Sequence, residues 1–154
     1  MLQGKKIIGL TTTGAAMRRD LLRSLECKII VVEEAAEILE AHLVAILPRK
    51  IEQMILIGDH KQLPPLVNNF TLERNFNLGV SLFERLVNNG LPYETLNIQH
   101  RMKDQFLKLL VPHIYHNIVS SPSVFNLKAI RGESALWTHV LLPRRVIQLL
   151  NQNI

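Results

Sequence analysis

Cysteine is nearly absent from this sequence, which holds Cys27 as its single thiol among 154 residues. One thiol cannot build a disulfide framework or a thiolate zinc site within the chain, and this favours a reducing compartment. The first residues lack a signal-peptide pattern, and no apolar run approaches the length of a bilayer span. Internal repeats and low-complexity tracts are also missing. The sequence therefore predicts an intracellular protein, cytoplasmic or nuclear, without a membrane partner.

The composition is that of a globular domain, with 47% hydrophobic residues and a formal net charge of +5. This apolar content is too high for a disordered chain, and the length suffices for one ordinary domain. The modest positive charge indicates either polyanionic partners such as nucleic acids or ordinary solvated basic faces.

The most informative stretch is M-I-L-I-G-D-H-K-Q-L-P-P at residues 54–65. Its apolar start, 54–57, predicts a strand that is buried on both faces and so belongs to a parallel sheet. Gly58 permits a sharp turn, and the closing pair of prolines cannot extend a central strand. Ligands of open α/β sheets bind beyond the carboxyl ends of the strands. The loop that carries Asp59 and Gln62 is therefore a candidate site.

A second β-branched run, K-I-I-V-V at 28–32, predicts another buried strand that ends at Glu33 and Glu34. Residues 35–47 then place apolar side chains at helical spacing until a proline. The two carboxylates either suit a helix N-terminus electrostatically or serve metal-assisted hydrolysis, where one holds Mg²⁺ and the other orients a water. A right-handed crossover between the strands brings these acids to the same sheet edge as Asp59.

The amino-terminal residues predict a short strand over 6–11 that runs into T-T-T-G-A-A at 11–16, followed by a helix over 18–25. Thr11 and the amides around Gly14 either hold a phosphate or merely cap the helix. Both interpretations remain open from the sequence.

Downstream of the Asp59 loop, residues 67–78 show little periodicity and are interpreted as an irregular excursion. Ser81 then predicts the N-cap of a helix over 81–87. A further amphipathic helix is predicted over 104–118, interrupted by a proline.

Residues 93–98 predict another strand, with Gln99, His100 and Arg101 at its carboxyl end. Arg101 is either an ordinary surface cation or a forked donor to a phosphate, which acts most strongly when two domains close and exclude water.

Four segments, T-T-T-G-A-A, V-V-E-E-A-A-E, G-D-H-K-Q-L-P-P and Q-H-R-M, resemble successive motifs of superfamily one helicases of the nonsense-mediated-decay branch. The chain strongly resembles those helicases that carry NFX-type zinc fingers, and this resemblance extends to about Gly132. It implies an α/β fold: a truncated, partial RecA-like parallel sheet of the P-loop NTPase type, flanked by helices. Residues 1–97 then form the C-terminal part of the first RecA-like domain, 98–132 the start of the second and 133–154 a divergent tail.

The resemblance also implies roles for the acids and the following loop. Glu33 corresponds to the metal-associated acid, although the family more often has aspartate there, and Glu34 corresponds to the acid that activates water. Asp59 and Gln62 correspond to the loop that senses the γ-phosphate and couples it to nucleic acid.

The remaining motif residues correspond to the nucleotide and nucleic-acid contacts of the family. Gln99 and His100 correspond to nucleotide-binding positions, and His100 replaces a tyrosine that stacks on the base. Arg101 resembles the arginine that contacts phosphate. Thr11 and Gly14 match the motif that touches the nucleic-acid backbone.

The sequence contains no G-x-x-x-x-G-K-[ST] phosphate loop. We therefore expect a fragment of an ATP-dependent RNA helicase, using ATP and Mg²⁺, that is weakly active or inactive alone. Its expected partners are single-stranded RNA and either the rest of the helicase or another protein. By analogy with the NFX-type helicases, we expect it to act in small-RNA silencing. The alternatives are a non-catalytic RNA-binding or assembly module and a Mg²⁺-dependent phosphohydrolase that uses Glu33, Glu34 and Asp59.

Overall fold

The computed structural model describes residues 4–126, so the predicted tail at 133–154 lies outside the described residues. The chain separates into two compact units, Met1–Glu94 and Thr95–Ile154. The division into RecA-like domains at residues 97 and 98 remains a prediction. None of the helices within residues 4–126 has the length and apolarity to cross a membrane.

The sheet of the first unit contains β1 (Ile29–Val32) and β2 (Gln53–Leu56), which pair in parallel from Ile29 opposite Gln53 to Val32 opposite Leu56. Both strands were predicted from their apolar runs, and an α/β fold with parallel strands is confirmed. The strands begin beside two exposed ion pairs, which join Lys28 to Glu52 at 2.8 Å and Glu26 to Lys50. These pairs match the register because each links residues just before the two strands.

The predicted burial of both sheet faces is wrong. Val32 is buried, but Ile29 and Val31 are 57% and 59% exposed on the other face of β1, and Ile55 of β2 is 48% exposed. Among the described residues of the first unit, the core lies on the Val32 side of the sheet. It is formed by Ala15, Val32, Ala35, Leu43, Ile46 and Leu82.

The predicted strand over 6–11 is also wrong, since residues 7–11 have no regular secondary structure and Ile7 is 90% exposed. A strand is stable only with a neighbour that accepts its ladder hydrogen bonds, and no described strand pairs with this segment. Two short helices follow it, α1 (Thr12–Met17) and α2 (Arg19–Ser24), and α2 agrees with the predicted helix.

The helix predicted over 35–47 is divided. A 3-10 turn at Ala35–Glu37 comes first, and α3 (Glu40–Ile46) begins only after an extended pair of residues. The division has a tertiary cause, because Leu39 forms an isolated antiparallel bridge with Ser81. The apolar stripe still faces inward, with Leu43 and Ile46 buried.

The irregular excursion predicted over 67–78 contains a helix, α4 (Phe70–Phe76), which the weak periodicity concealed because none of its residues is buried. Asn69 caps it by accepting a hydrogen bond from the Leu72 amide at 3.1 Å. The next helix, α5 (Leu82–Asn88), has the predicted N-cap: the Ser81 hydroxyl accepts from the Glu84 amide at 3.1 Å.

The second unit contains β3 (Ile98–Gln99) and β4 (Val119–Ser120), paired in parallel, with α6 (Asp104–Leu110) between them and a 3-10 turn at Pro122–Asn126. The strand predicted over 93–98 is mostly irregular, and α6 is shorter than predicted. Proline at 112 lacks the N–H that a continuing helix requires.

Candidate functional site

The acids that follow β1 lie in a loop that we call the acid loop, residues 33–37. Glu33 and Glu34 are both exposed. Glu34 has left-handed backbone angles, φ 52° and ψ 41°, which are uncommon for a residue with a long side chain. Its carbonyl accepts a hydrogen bond from the Glu37 amide at 3.0 Å, which closes the 3-10 turn. The chain therefore bends sharply at Glu34 and does not run on from β1.

Gly58 holds the end of β2 against the acid loop. A Cβ at this position would lie 2.9 Å from the Ala36 nitrogen and 3.1 Å from the Ala35 nitrogen. The Ala35 amide also donates to the Ile57 carbonyl at 2.8 Å. Only glycine permits so close a backbone approach. The ends of the two strands are thus packed backbone to backbone.

Residues 58–62, which we call the coupling loop after the role that the family resemblance implies, are ordered by Asp59. One carboxylate oxygen of Asp59 accepts from the Lys61 amide at 3.0 Å, and the other accepts from Nε2 of Gln62 at 2.9 Å. The Gln62 amide also donates to the Asp59 carbonyl at 3.1 Å. Two candidate residues therefore form one hydrogen-bonded turn, in which Asp59 sets the orientation of the Gln62 side chain.

Helix α5 contacts the coupling loop and the start of α3. The ring of His60, in the coupling loop, lies with its centroid 6.2 Å from that of Phe83. Arg85 makes a bidentate pair with Glu40 at the start of α3, with N–O distances of 2.7 and 2.6 Å. The Arg85 guanidinium lowers the pKa of Glu40, chiefly through these hydrogen bonds. The helix therefore joins the coupling loop to the segment that follows the acid loop.

An open groove of about 610 Å³ runs along β1, and Glu33, Glu34 and Thr11 all line it. Thr11 is the N-cap of α1, and its hydroxyl oxygen accepts from the Gly14 amide at 3.0 Å. The capping role of this threonine, one of the two interpretations left open by the sequence, is therefore observed.

The Q-H-R-M segment lies in the second unit and is organised by Gln99. The side-chain oxygen of Gln99 accepts from the amides of Arg101 and Met102 at 2.9 and 2.8 Å. His100 and Arg101 are exposed, and the His100 ring lies 3.4 Å from the Ser123 hydroxyl. The segment is therefore a tight turn that presents an imidazole and a guanidinium to solvent.

Within residues 4–126, no group of three or more His, Cys, Asp or Glu side chains is arranged to hold a metal ion. Mg²⁺, however, usually keeps several waters and binds through one or two carboxylates together with substrate phosphates. The exposed carboxylates of Glu33 and Glu34 fit this kind of partial site. A complete protein cage is not required.

In the first unit, Thr11, Glu33 and Glu34 line one groove. Asp59 and Gln62 form one hydrogen-bonded turn, and Gly58 packs the start of that turn against the acid loop. Sequence reasoning missed what holds them, namely the supporting contacts of His60 and of Arg85. A glycine at the end of a strand pattern is a known signal of close backbone approach, so the Gly58 contact was within reach. The pairing of Glu40 with Arg85 has no signal in sequence spacing.

Several known proteins have sequences similar to this chain, and two of those described below are named helicases. Residues 1–69 match the AAA domain family. NFX1-type zinc finger-containing protein 1 of Mus musculus is 49% identical over 135 residues, 88% of this chain and 7% of that protein. Helicase required for RNAi-mediated heterochromatin assembly 1 of Schizosaccharomyces pombe is 42% identical over 119 residues, 77% of this chain and 12% of that protein.

A third relative is RNA helicase aquarius of Mus musculus, 36% identical over 119 residues, which are 71% of this chain and 8% of that protein. The chain thus spans between 7% and 12% of the length of these relatives.

Proposed function

The chain belongs to the superfamily one helicases, and from this premise we propose that it is part of an ATP-dependent RNA helicase that couples ATP hydrolysis to RNA binding or remodelling. Its strands would be part of a RecA-like sheet of the P-loop NTPase type. The first RecA-like domain would extend to residue 97 and the second would begin at residue 98.

The observation that carries this proposal is the packing of the acid loop on the coupling loop through Gly58. A motor driven by ATP needs the group that activates water and the group that senses the γ-phosphate close together, so that the same nucleotide contacts both. The close approach of Gly58 to Ala36 supports such an arrangement, because it lies at the carboxyl ends of parallel strands, where ligands of such sheets bind.

The carboxylates would divide the chemistry between them. Glu33 would hold a Mg²⁺ ion through its waters, and the bound ion would neutralise charge on the phosphates. Glu34 would accept a hydrogen bond from the attacking water and orient it toward the γ-phosphate. Asp59 would keep Gln62 oriented toward that phosphate by the hydrogen bond already described.

The Q-H-R-M turn would contribute further contacts to the nucleotide. Arg101 would meet the phosphates with its forked set of donors, and His100 would stack on the base. Both side chains are exposed on the Q-H-R-M turn, which supports this role.

RNA is the proposed polynucleotide. Two relatives bear the names RNA helicase aquarius and helicase required for RNAi-mediated heterochromatin assembly 1, and the chain has a net charge of +5. Thr11 and Gly14 would approach the RNA backbone at the start of α1. The second of these names also supports a setting in small-RNA silencing.

A second candidate function is a non-catalytic RNA-binding or assembly module, which the lack of a G-x-x-x-x-G-K-[ST] sequence in these 154 residues favours. The same observation leads us to propose that the chain alone hydrolyses ATP poorly or not at all. The whole helicase, or a partner protein, would supply the phosphate cradle.

The deciding experiment is binding of a fluorescent ATP analogue with Mg²⁺, with and without single-stranded RNA. Arg101→Ala and Gln62→Ala are compared with the wild-type chain, and Arg49→Ala is the control because this exposed arginine precedes β2 at the opposite end of the strand. Binding that RNA strengthens, and that only the first two substitutions weaken, supports the helicase proposal. RNA binding without any nucleotide effect favours the non-catalytic module.

Hydrolysis is measured on the same samples as steady-state phosphate release. Turnover that RNA stimulates and that Glu34→Gln abolishes would contradict the proposed inactivity of the chain alone, although it would support the role of Glu34.

A further inference from the structure

We infer that Gln99 is a positioning residue, which fixes the backbone of the Q-H-R-M turn and thereby the direction of Arg101, and that it does not itself contact the nucleotide. The inference deepens the proposed function and rests on it for the meaning of Arg101.

The side-chain amide of Gln99 has two N–H donors and one oxygen with two lone pairs. Nε2 donates to the Met102 carbonyl at 2.7 Å and to the Ser120 hydroxyl at 2.8 Å. The oxygen accepts from the backbone amides of Arg101 and Met102 at 2.9 and 2.8 Å. Every donor and both lone pairs are therefore engaged within the protein, and a direct bond to a ligand would require breaking one of them.

The partners of Gln99 are themselves held. The Ser120 hydroxyl donates to the Asp104 carboxylate at 3.0 Å, at the first residue of α6. The Gln99 carbonyl accepts from the Ser121 amide at 2.9 Å as β3 pairs with β4. The side chain thus joins β3, β4 and the start of α6 at one point and is half-buried there.

Three of the four bonds reach the backbone of Arg101 or Met102. They fix the peptide planes on both sides of the Arg101 Cα, and these planes set the direction in which the guanidinium leaves the turn. His100 makes no such bond and is exposed beside it. Gln99 would therefore act on the nucleotide only through Arg101.

The first test measures backbone amide hydrogen exchange by NMR in the full chain. In wild type, the Arg101 and Met102 amides should be protected. Gln99→Met, which keeps the length but removes the acceptor, should reduce their protection about tenfold. Gln99→Glu keeps an acceptor oxygen and should retain most of the protection. Unprotected amides in wild type, or equal protection in Gln99→Met, would overturn the inference.

Folding is monitored in the same spectra through the Val119 amide, which donates to the Asn97 carbonyl in the strand pairing. Its protection should not change in Gln99→Met. If that variant unfolds the unit, Ser120→Ala removes a single partner of Nε2, and it should lower the protection of the Arg101 and Met102 amides by about twofold. No effect of Ser120→Ala would then count against the network.

The second test separates positioning from direct contact by fluorescent ATP binding to Gln99→Met, Arg101→Ala and the double variant. A positioning residue predicts that the double variant binds as weakly as Arg101→Ala alone, and independent losses that multiply would show direct contact. If the wild-type chain binds no nucleotide, the result favours the non-catalytic module, and the exchange measurement still decides the role of Gln99 in the turn.

Discussion

Replacing Gly58 by alanine tests the contact on which the candidate site depends. The new Cβ would lie 2.9 Å from the Ala36 nitrogen, whereas ordinary van der Waals contact begins near 3.4 Å. One of the two loops must therefore shift by roughly 0.5 Å, and both partners are backbone, which cannot rotate away. We expect Gly58→Ala to lower the free energy of unfolding by about 2 kcal/mol, within the range for overpacked sites.

The matched control is Gly9→Ala, because a Cβ at Gly9 meets no atom within 4 Å. Alanine reduces the conformational freedom of the unfolded chain at both positions, so this effect cancels between the two variants. Urea unfolding followed by circular dichroism measures the difference, which isolates the cost of the contact. Equal stability of the two variants would refute the described packing of the acid loop on the coupling loop.

Three further predictions concern the same unit. Glu34→Asn should raise the free energy of unfolding by about 1 kcal/mol in urea titrations, since asparagine tolerates left-handed angles, and a loss of stability would contradict the strained turn. Ser81→Ala should lower it by about 1 kcal/mol by removing the buried N-cap, and an unchanged value would argue against that cap. Because Arg85 lowers the folded-state pKa of Glu40, the stability that their pair contributes is complete above the ordinary glutamate pKa of 4.5. It is lost as the pH falls through the lower pKa of the folded state. The stability difference between wild type and Arg85→Met should therefore shrink in acid, and a difference independent of pH would contradict this linkage.

The strands and caps were predictable because their signals are local. β1 and β2 follow from unbroken β-branched and apolar runs, and Ser81 follows from the spacing of a capping residue and Glu84. The acid loop and the coupling loop could be predicted as candidate sites for the same reason. Parallel pairing places the polar residues that directly follow the two strands at the same edge of the sheet.

The errors occur where tertiary contacts decide the outcome. Residues 6–11 have strand composition, but composition does not supply a pairing neighbour. The continuous helix predicted over 35–47 is broken because Leu39 bridges to Ser81, a contact between residues far apart in sequence. Helix α4 lacks an apolar stripe to detect, because none of its residues is buried.

The close packing at Gly58 also bears on how the proposed motor would transmit a signal. The Gly58 backbone is packed directly against the backbone of Ala35 and Ala36. A movement of the coupling loop toward the acid loop must therefore move the acid loop as well. The left-handed Glu34 lies directly before these alanines and carries strain that a small backbone shift can relieve or increase. A polynucleotide that displaced Gln62 would therefore change the position of Glu34 through the backbone packing at Gly58 and the hydrogen bond from the Ala35 amide to the Ile57 carbonyl. Coupling by packing of this kind requires glycine at position 58, which is why the alanine substitution is expected to disturb the linkage between the loops as well as stability.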